Sequence, residues 1–333
     1  MAVGPAAAQT PPEVIVTGIT FPGTITDEQW KVFQANIAAR ADPPMTLKML
    51  VRGEAGSEEA MVTAARRGRV QLAAPSMSAT SQAAPEVAVL ALPYLFDSVE
   101  QMDFILETVA KDEMRALLGA RGLEFLNWID SGWVGLYARD PLTDPVQVKG
   151  YKLRTPPVLA AQIMAQVLAA DAVYIPYPEI VPALQTGLIK GGITADYPFF
   201  TGGIDSEAPY FIYTRHTYDA GVIFANKAWF DVQSAANQAM LRTAWGDPVD
   251  FRARSRDYTA AEMSKLRDKR DGSGTQVIEL SPEQRARWVA ATRPTHRLLL
   301  DRLGPEAVRL YEAIERGKAA YTAQSPPLGA KSQ

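Results

Sequence analysis

The sequence contains no cysteine. Disulfides, thiolate metal sites and cysteine nucleophiles are excluded with it. Histidine is almost absent too, with His216 and His296 alone. A histidine-rich zinc site is therefore excluded, and a Ser-His-Asp triad would have two residues to choose its base from. There is no basic surplus: 34 Lys and Arg stand against 37 Asp and Glu, for a net charge of −3. Nucleic-acid binders ordinarily carry such a surplus in clusters. Here only Arg66, Arg67 and Arg69 and the mixed run 265–270 gather basic residues. No apolar run reaches the roughly 18 residues that a membrane-spanning helix needs. The glycine-rich dinucleotide fingerprint, the P-loop and the G-x-S-x-G elbow are all missing. No set of residues calls for a metal or a cofactor, and none is expected.

What is present describes a globular chain. Its 333 residues amount to about two domains. Hydrophobic residues make up 47% and charged residues 21%, a balance that argues against disorder. The first ten residues lack the basic start and apolar run of a complete signal peptide. Only a small-residue end, Ala6-Ala7-Ala8-Gln9, is visible. This reads as a truncated signal peptide or the start of a mature exported protein. A disordered Ala/Pro tail on a cytosolic protein is the alternative.

Periodicity then sets out the elements. Residues 13–19 form a short β-rich run, and Thr26 with the acids after it starts a helix carrying Trp30, Phe33 and Ile37 on one face. Residues 46–51 and 70–74 are strands, with a helix from Ser57 through Arg66 between them. A capping box at Ser98 starts a helix to about Ala110, and strands follow at 122–128 and 134–138. From Lys149 the alternation restarts: strands at 150–154, 172–175 and 192–195, with helices opened by Pro156-Pro157 and by Pro178-Glu179. After a strand at 220–225 the chain turns helix-rich from Ser234 to about Lys269, broken at Gly272-Ser273-Gly274. Ser281 starts a helix that Pro294 should kink, and Gly304 precedes a last helix closed by Gly317. The order strand, helix, strand argues for an α/β fold with parallel pairing: two α/β blocks and a helical tail.

Ligands of open α/β sheets bind beyond the carboxyl ends of strands. Arg154 stands at such an end, just before a helix N-terminus that favours anions, where a guanidinium grips a carboxylate with two parallel hydrogen bonds. Aromatics gather around the same block: Trp128, Trp133, Tyr177, Tyr197, Phe199 and Phe200. Tyr177 and Tyr197 follow strand ends and are the better candidates for pocket walls. Thr194 and Asp196 end a strand, and Ser76 and Ser78 follow another, where small polar groups meet a ligand. Glu179 opens a helix and suits its dipole. His216 reads as a structural hydrogen-bonding residue before a strand.

Four stretches also carry a family resemblance. They are residues 60–70, Leu92-Pro93-Tyr94-Leu95-Phe96, Lys149-Gly150-Tyr151-Lys152-Leu153-Arg154, and residues 175–187. Together they resemble the extracytoplasmic solute receptors of tripartite ATP-independent periplasmic (TRAP) transporters, the DctP-type family. The likeness runs over roughly residues 12–320. It implies an α/β, two-lobed periplasmic-binding-protein fold with two α/β domains, a hinge and a helical C-terminal region. Lobe I would comprise residues 12–131 and 220–255, and lobe II residues 132–219 and 256–320. Residues 1–11 would be a residual signal or disordered N-terminus, and 321–333 a flexible tail. Hinges would lie near 129–136 and 218–222. The resemblance makes Arg154 the salt-bridge partner of a ligand carboxylate and Tyr177 an aromatic packed on the ligand. Thr194 stands where the family often has Asn. Thr20, Phe21 and Ser76 would line the cleft, with Trp133, Tyr197 and His216 completing the expected ligand-binding set.

Some members carry a second ligand-binding arginine, and its place aligns here with Val134. Losing that arginine argues against a C4-dicarboxylate or a sialic-acid-like ligand. The expectation is a monomeric periplasmic receptor, not an enzyme, without metal. It captures an organic acid, a monocarboxylate with an apolar or aromatic body, and delivers it to membrane subunits. The alternatives are an α/β enzyme acting on a small organic acid, with His216, Glu179 or Asp196 as base, and a ligand-sensing ectodomain or a receptor for another importer class.

Overall fold

The computed structural model describes residues 13–267 and 275–324. The N-terminal segment 1–11, the Gly272-Ser273-Gly274 break and the last nine residues lie outside the described residues.

Two sheets organise the chain. The first contains β1 (Glu13–Gly18), β2 (Thr46–Leu50), β3 (Leu72–Ala74), β4 (Leu123–Trp128) and β10 (Val222–Asn226) in the order β2-β1-β3-β10-β4. β1 pairs parallel with β2 and β3, as the strand–helix alternation predicts. β10 arrives from the other sheet and runs antiparallel to β3 and β4. The second sheet contains β5 (Gly132–Ala138), β6 (Lys152–Thr155), β7 (Asp171–Tyr174), β8 (Gly191–Ala195), β9 (Tyr210–Asp219) and β11 (Gln276–Glu279), in the order β11-β9-β5-β8-β6-β7. β6 lies parallel between β7 and β8, and β5 is antiparallel to β8 and β9.

Helices cover both sheets. α1 (Ile25–Arg40) and α2 (Glu58–Arg66) follow β1 and β2, and the one-turn α3 (Met77–Thr80) follows β3. α4 (Val99–Ile105) continues through a π turn at Leu106–Ala110 into α5 (Lys111–Gly119), well past the expected end at Ala110. α6 (Leu159–Val167), α7 (Ile180–Gln185) and α8 (Asp196–Thr201) belong to the second block. α9 (Lys227–Asp231), α10 (Ala235–Thr243) and α11 (Pro248–Arg267) occupy the region expected to be helix-rich. α12 (Pro282–Thr292), α13 (Pro294–Leu303) and α14 (Pro305–Gln324) close the chain. Pro294 separates α12 from α13, in line with its missing N–H.

Several local expectations are corrected. The cap of α1 is Thr24, whose Oγ1 accepts the Asp27 N–H at 3.3 Å, and Thr26 lies inside the first turn. Gly317 does not end the last helix. It sits buried within α14, where a Cβ would come 2.9 Å from the Val109 side chain, so its smallness serves packing. The ten-residue β9 has no clean period-two pattern, and His216 lies inside it rather than before a strand. β11, beside it, also escaped the pattern.

Three connections cross between the sheets. Trp128 leads to Gly132, Asp219 leads to Val222, and α11 runs from Phe251, packed under the first sheet, to Met263, packed under the second. The first two are zipped together, with the Ile129 N–H on the Gly221 carbonyl at 2.8 Å and the Ser131 N–H on the Asp219 carbonyl at 2.9 Å. Gly221 allows that approach, since a Cβ there would stand 2.7 Å from the Ile129 side chain and 2.9 Å from the Pro75 carbonyl. The junction between 255 and 256 falls within continuous α11. Behind the sheets, α13 packs on α6 of the second block and α14 packs on α4 of the first, so the helical tail backs both.

Candidate functional site

The carboxyl ends of β1, β3, β6 and β8 converge on a cavity of about 150 Å³ between the two sheets. An apolar cavity of about this size holds a benzene ring. The first block contributes Phe21, Glu58, Glu59 and the Ser76–Ser78 turn. The second contributes Arg154, Tyr177, Thr194, Tyr197 and His216. Ile19, Met77, Val134, Val158, Met164 and Ile193 make much of the remaining wall apolar.

Arg154 is 4% exposed. β6 is an interior strand of a parallel trio, so its last residues face neighbours on both sides. The Arg154 guanidinium uses that position. Nε donates to the Ile175 carbonyl at 3.0 Å and Nη1 to the Ile193 carbonyl at 2.8 Å. These bonds hold the guanidinium across the sheet end and leave the second Nη1 hydrogen and both Nη2 hydrogens, enough for one end-on fork, without a partner among the described residues. Among the described residues no carboxylate lies within ion-pair distance of it. Burial lowers the Arg154 pKa, and Tyr137, Glu59, Tyr177 and Glu58 oppose that shift from a distance. A buried charge without a partner is costly, and an incoming anion removes the cost.

His216 reaches the cavity through a local distortion of β9. The β5–β9 register jumps between Val134 and Leu136, which loops out residues 213–216. Arg215 takes a positive φ of 42° within the loop. Tyr94, itself at φ 56°, holds it: its N–H donates to the His216 carbonyl at 2.5 Å and its hydroxyl to the Thr214 carbonyl at 3.1 Å. The His216 Nδ1 stands 2.7 Å from Thr214 Oγ1. That hydroxyl has no other partner among the described residues, so the pair is a hydroxyl–imidazole contact internal to β9. Burial pushes the imidazole pKa down to about 3, so the ring is neutral at physiological pH.

Several polar groups of the wall are unpartnered. The Tyr197 hydroxyl and Thr26 Oγ1 are buried without a hydrogen bond, although each residue is 7% exposed and lines the cavity. Ser78 Oγ and Thr217 Oγ1 share that condition. The Tyr177 hydroxyl instead donates to the Pro198 carbonyl at 2.7 Å, so it is not free for a ligand.

Of the expected set, Phe21, Ser76, Arg154, Tyr177, Thr194, Tyr197 and His216 meet at this cavity. Thr20 and Trp133 stand outside its lining. The Thr20 hydroxyl is 3.2 Å from Thr24 Oγ1 at the α1 cap. Trp133 packs edge-on against Tyr218, with centroids 5.1 Å apart, because alternation along β5 points Val134 inward instead. Asp196 is buried behind the cavity, accepting from the Tyr197 N–H and the Tyr213 hydroxyl. Glu179 is exposed.

Sequence reading places Glu58 only in the helix start after Ser57 and not among the candidate site residues. The usable signal was its place after β2, since a helix that follows a parallel strand turns its N-terminus toward the cleft. Glu58 accepts the Ser76 N–H at 2.9 Å and the Ser76 hydroxyl at 2.6 Å. Burial raises its pKa to about 7. Asp219 accepts the Met77 N–H at 3.1 Å, and burial raises it to about 6.

The chain matches the family of bacterial extracellular solute-binding proteins, family 7, over residues 19–302. It is 27% identical over 250 residues to the C4-dicarboxylate-binding periplasmic protein DctP of Rhodobacter capsulatus, covering 74% of each chain. Two solved structures share the fold. The periplasmic ectoine-binding protein of the TeaABC TRAP transporter of Halomonas elongata superimposes with a TM-score of 0.86 at 18% identity, over 93% of this chain and all of that one. A TRAP periplasmic solute-binding protein from a Sulfitobacter species, with bound β-D-galacturonate, gives 0.84 at 20% identity, over 92% of this chain and all of that one. The chain belongs to family 7 of the bacterial extracellular solute-binding proteins. Members of this family are extracellular solute-binding proteins, and these relatives are periplasmic binding proteins, two of them from TRAP transporters. Among the described residues no helix is long and apolar enough to cross a membrane.

Proposed function

We propose that this solute-binding protein captures a monocarboxylate with an apolar or aromatic body and hands it, as a periplasmic monomer, to the membrane subunits of a TRAP transporter. The carboxylate sits on Arg154, the ligand body lies against Tyr177 and Phe21, and Tyr197, Thr194, Ser76 and His216 line its surroundings. Lobe closure about the crossings near residues 129–136 and 218–222 completes the enclosure.

The observation that carries this reading is the Arg154 guanidinium, fixed by two backbone carbonyls and facing the cavity without an acidic partner. It supplies one charge-assisted fork, which suits one carboxylate. Among the described residues no lysine and no other arginine lines the cavity, and Val134, where the resemblance would put the second arginine of some members, is part of its apolar wall. A second carboxylate would meet Glu58, Glu59, Asp130 and Asp219 instead, with like charge. The relatives take a C4-dicarboxylate, ectoine and galacturonate, so membership alone leaves the class open.

Titration calorimetry with matched mono- and dicarboxylates tests the reading. A monocarboxylate should bind more tightly than the dicarboxylate of equal length. Tight binding of succinate or malate with no monocarboxylate bound would overturn it.

A further inference from the structure

We propose that Glu58 selects the ligand's second polar group: the acid held at Arg154 carries a hydrogen-bond donor, a hydroxyl or an ammonium, which the Glu58 carboxylate accepts as the lobes close. This rests on the anchoring role proposed for Arg154 and adds a requirement on the far end of the ligand.

The two side chains approach the cavity from different blocks, Glu58 from α2 and Arg154 from β6. A ligand that touches both therefore bridges the cleft. Glu58 is not free to turn away. Ser76 pins one carboxylate oxygen with its N–H and the other with its hydroxyl. Ionised, as it is above the value of about 7 to which burial raises it, the carboxylate offers about four acceptor positions, so roughly two remain unused. Among the described residues Arg154, on the other block, is the one cation of the lining; the acidic neighbours of Glu58 are Glu59 and Asp219, Arg154 and Tyr177 lie within electrostatic reach of it, and His216 is neutral. Thr26 provides an independent sign that a polar group belongs here. Its Oγ1 is buried without a partner on the same side of the cavity.

Closing the lobes on an acid with a bare hydrocarbon end would leave the spare acceptors of Glu58 dry. A site built to pair a donor rejects the analogue that lacks it, because its own buried group is then unpaired. Glu58 would thus act in two ways: it raises affinity for the donor-bearing acid and withholds closure from the plain one.

The test is calorimetric titration with pentanoate and with its hydroxy and amino derivatives, the substituent moved one carbon at a time along the chain. Wild-type protein and Glu58→Gln are compared. At least one substituted acid should bind wild type about tenfold or more tightly than pentanoate. That ratio should fall to about threefold or less in Glu58→Gln, with pentanoate itself bound as well or better. Small-angle scattering of wild type should show compaction with the preferred acid and less with pentanoate. Equal affinity for pentanoate and all its derivatives in wild type overturns the proposal without any variant. A ratio that survives Glu58→Gln overturns the assignment to Glu58. Failure of every acid to bind wild type counts against acid capture itself, and binding without donor preference counts against Glu58 alone.

Discussion

Arg154 brings a positive charge into the interior and meets carbonyl oxygens there, not a carboxylate. Two consequences separate its function from its stability. Arg154→Ala should weaken acid binding by about tenfold or more, since a charge-assisted fork is lost. Arg154→Lys should weaken it less, keeping the charge but losing the fork and the carbonyl anchors. Arg154→Met should leave the ligand-free melting temperature unchanged or higher, because it removes a buried ion that pairs with no acid. Thermal unfolding with and without acid reads both effects. A large loss of stability in ligand-free Arg154→Met would assign the residue a structural role instead. Arg154, Tyr177 and Thr194 were legible in the sequence because strand ends and a helix start bracket them. Glu58 was not, because a first-turn acid has the same sequence signature whether it faces solvent or a cleft.

At the scale of elements, β8 shapes the anchor by what it lacks. A Cβ on Gly192 would collide with the Tyr137 hydroxyl and come 2.9 Å from the Arg154 Cβ. Gly192→Ala should therefore cost about 1–3 kcal/mol of stability and weaken acid binding together, as overpacking pushes both side chains. Denaturant unfolding and titration of the same preparation check this, and an unchanged affinity would detach Arg154 placement from β8. By contrast, Ser281→Ala at the α12 capping box should cost about 1 kcal/mol and leave binding unaltered. Elements with caps and short apolar runs could be read directly, as α2, α12 and β6 show. β9 could not. Its looped-out residues 213–216 break the alternation, and both its length and the aim of His216 depend on Tyr94, more than a hundred residues away in sequence.

Across the whole molecule, closure and protonation share the region between the lobes. Burial holds Glu58 and Asp196 up to about 7 and Asp219 up to about 6, with Asp130 adding to the shifts of the two aspartates. A carboxyl with a raised value stabilises the fold fully at acid pH, and that stability is lost as pH climbs through its folded value. His216, held down to about 3, acts in the opposite sense, and so does His296, also lowered by burial. Their contribution is gained below and around pH 6.5. The three acids outweigh the two histidines, so the ligand-free melting temperature should fall as pH rises from about 6 to 7.5 and change little above that. Asp196→Asn should remove part of the fall, and a rise over the same window would contradict the account. The two-block order was readable from strand–helix alternation. The crossings were less so, because β10 joins the first sheet antiparallel and continuous α11 carries no break where it passes between the sheets.

The most direct measurement is a thermal-shift and calorimetric screen of wild type and Arg154→Ala against mono-, di- and aromatic carboxylates, with the bound acid recovered and identified. A ligand at a hundredfold excess over its dissociation constant stabilises the folded form by about 2.7 kcal/mol, a readily visible shift. The account predicts a large shift with a monocarboxylate, recovered unchanged, that is about tenfold or more weaker in Arg154→Ala. Equal binding by the variant, or binding confined to dicarboxylates, would contradict it.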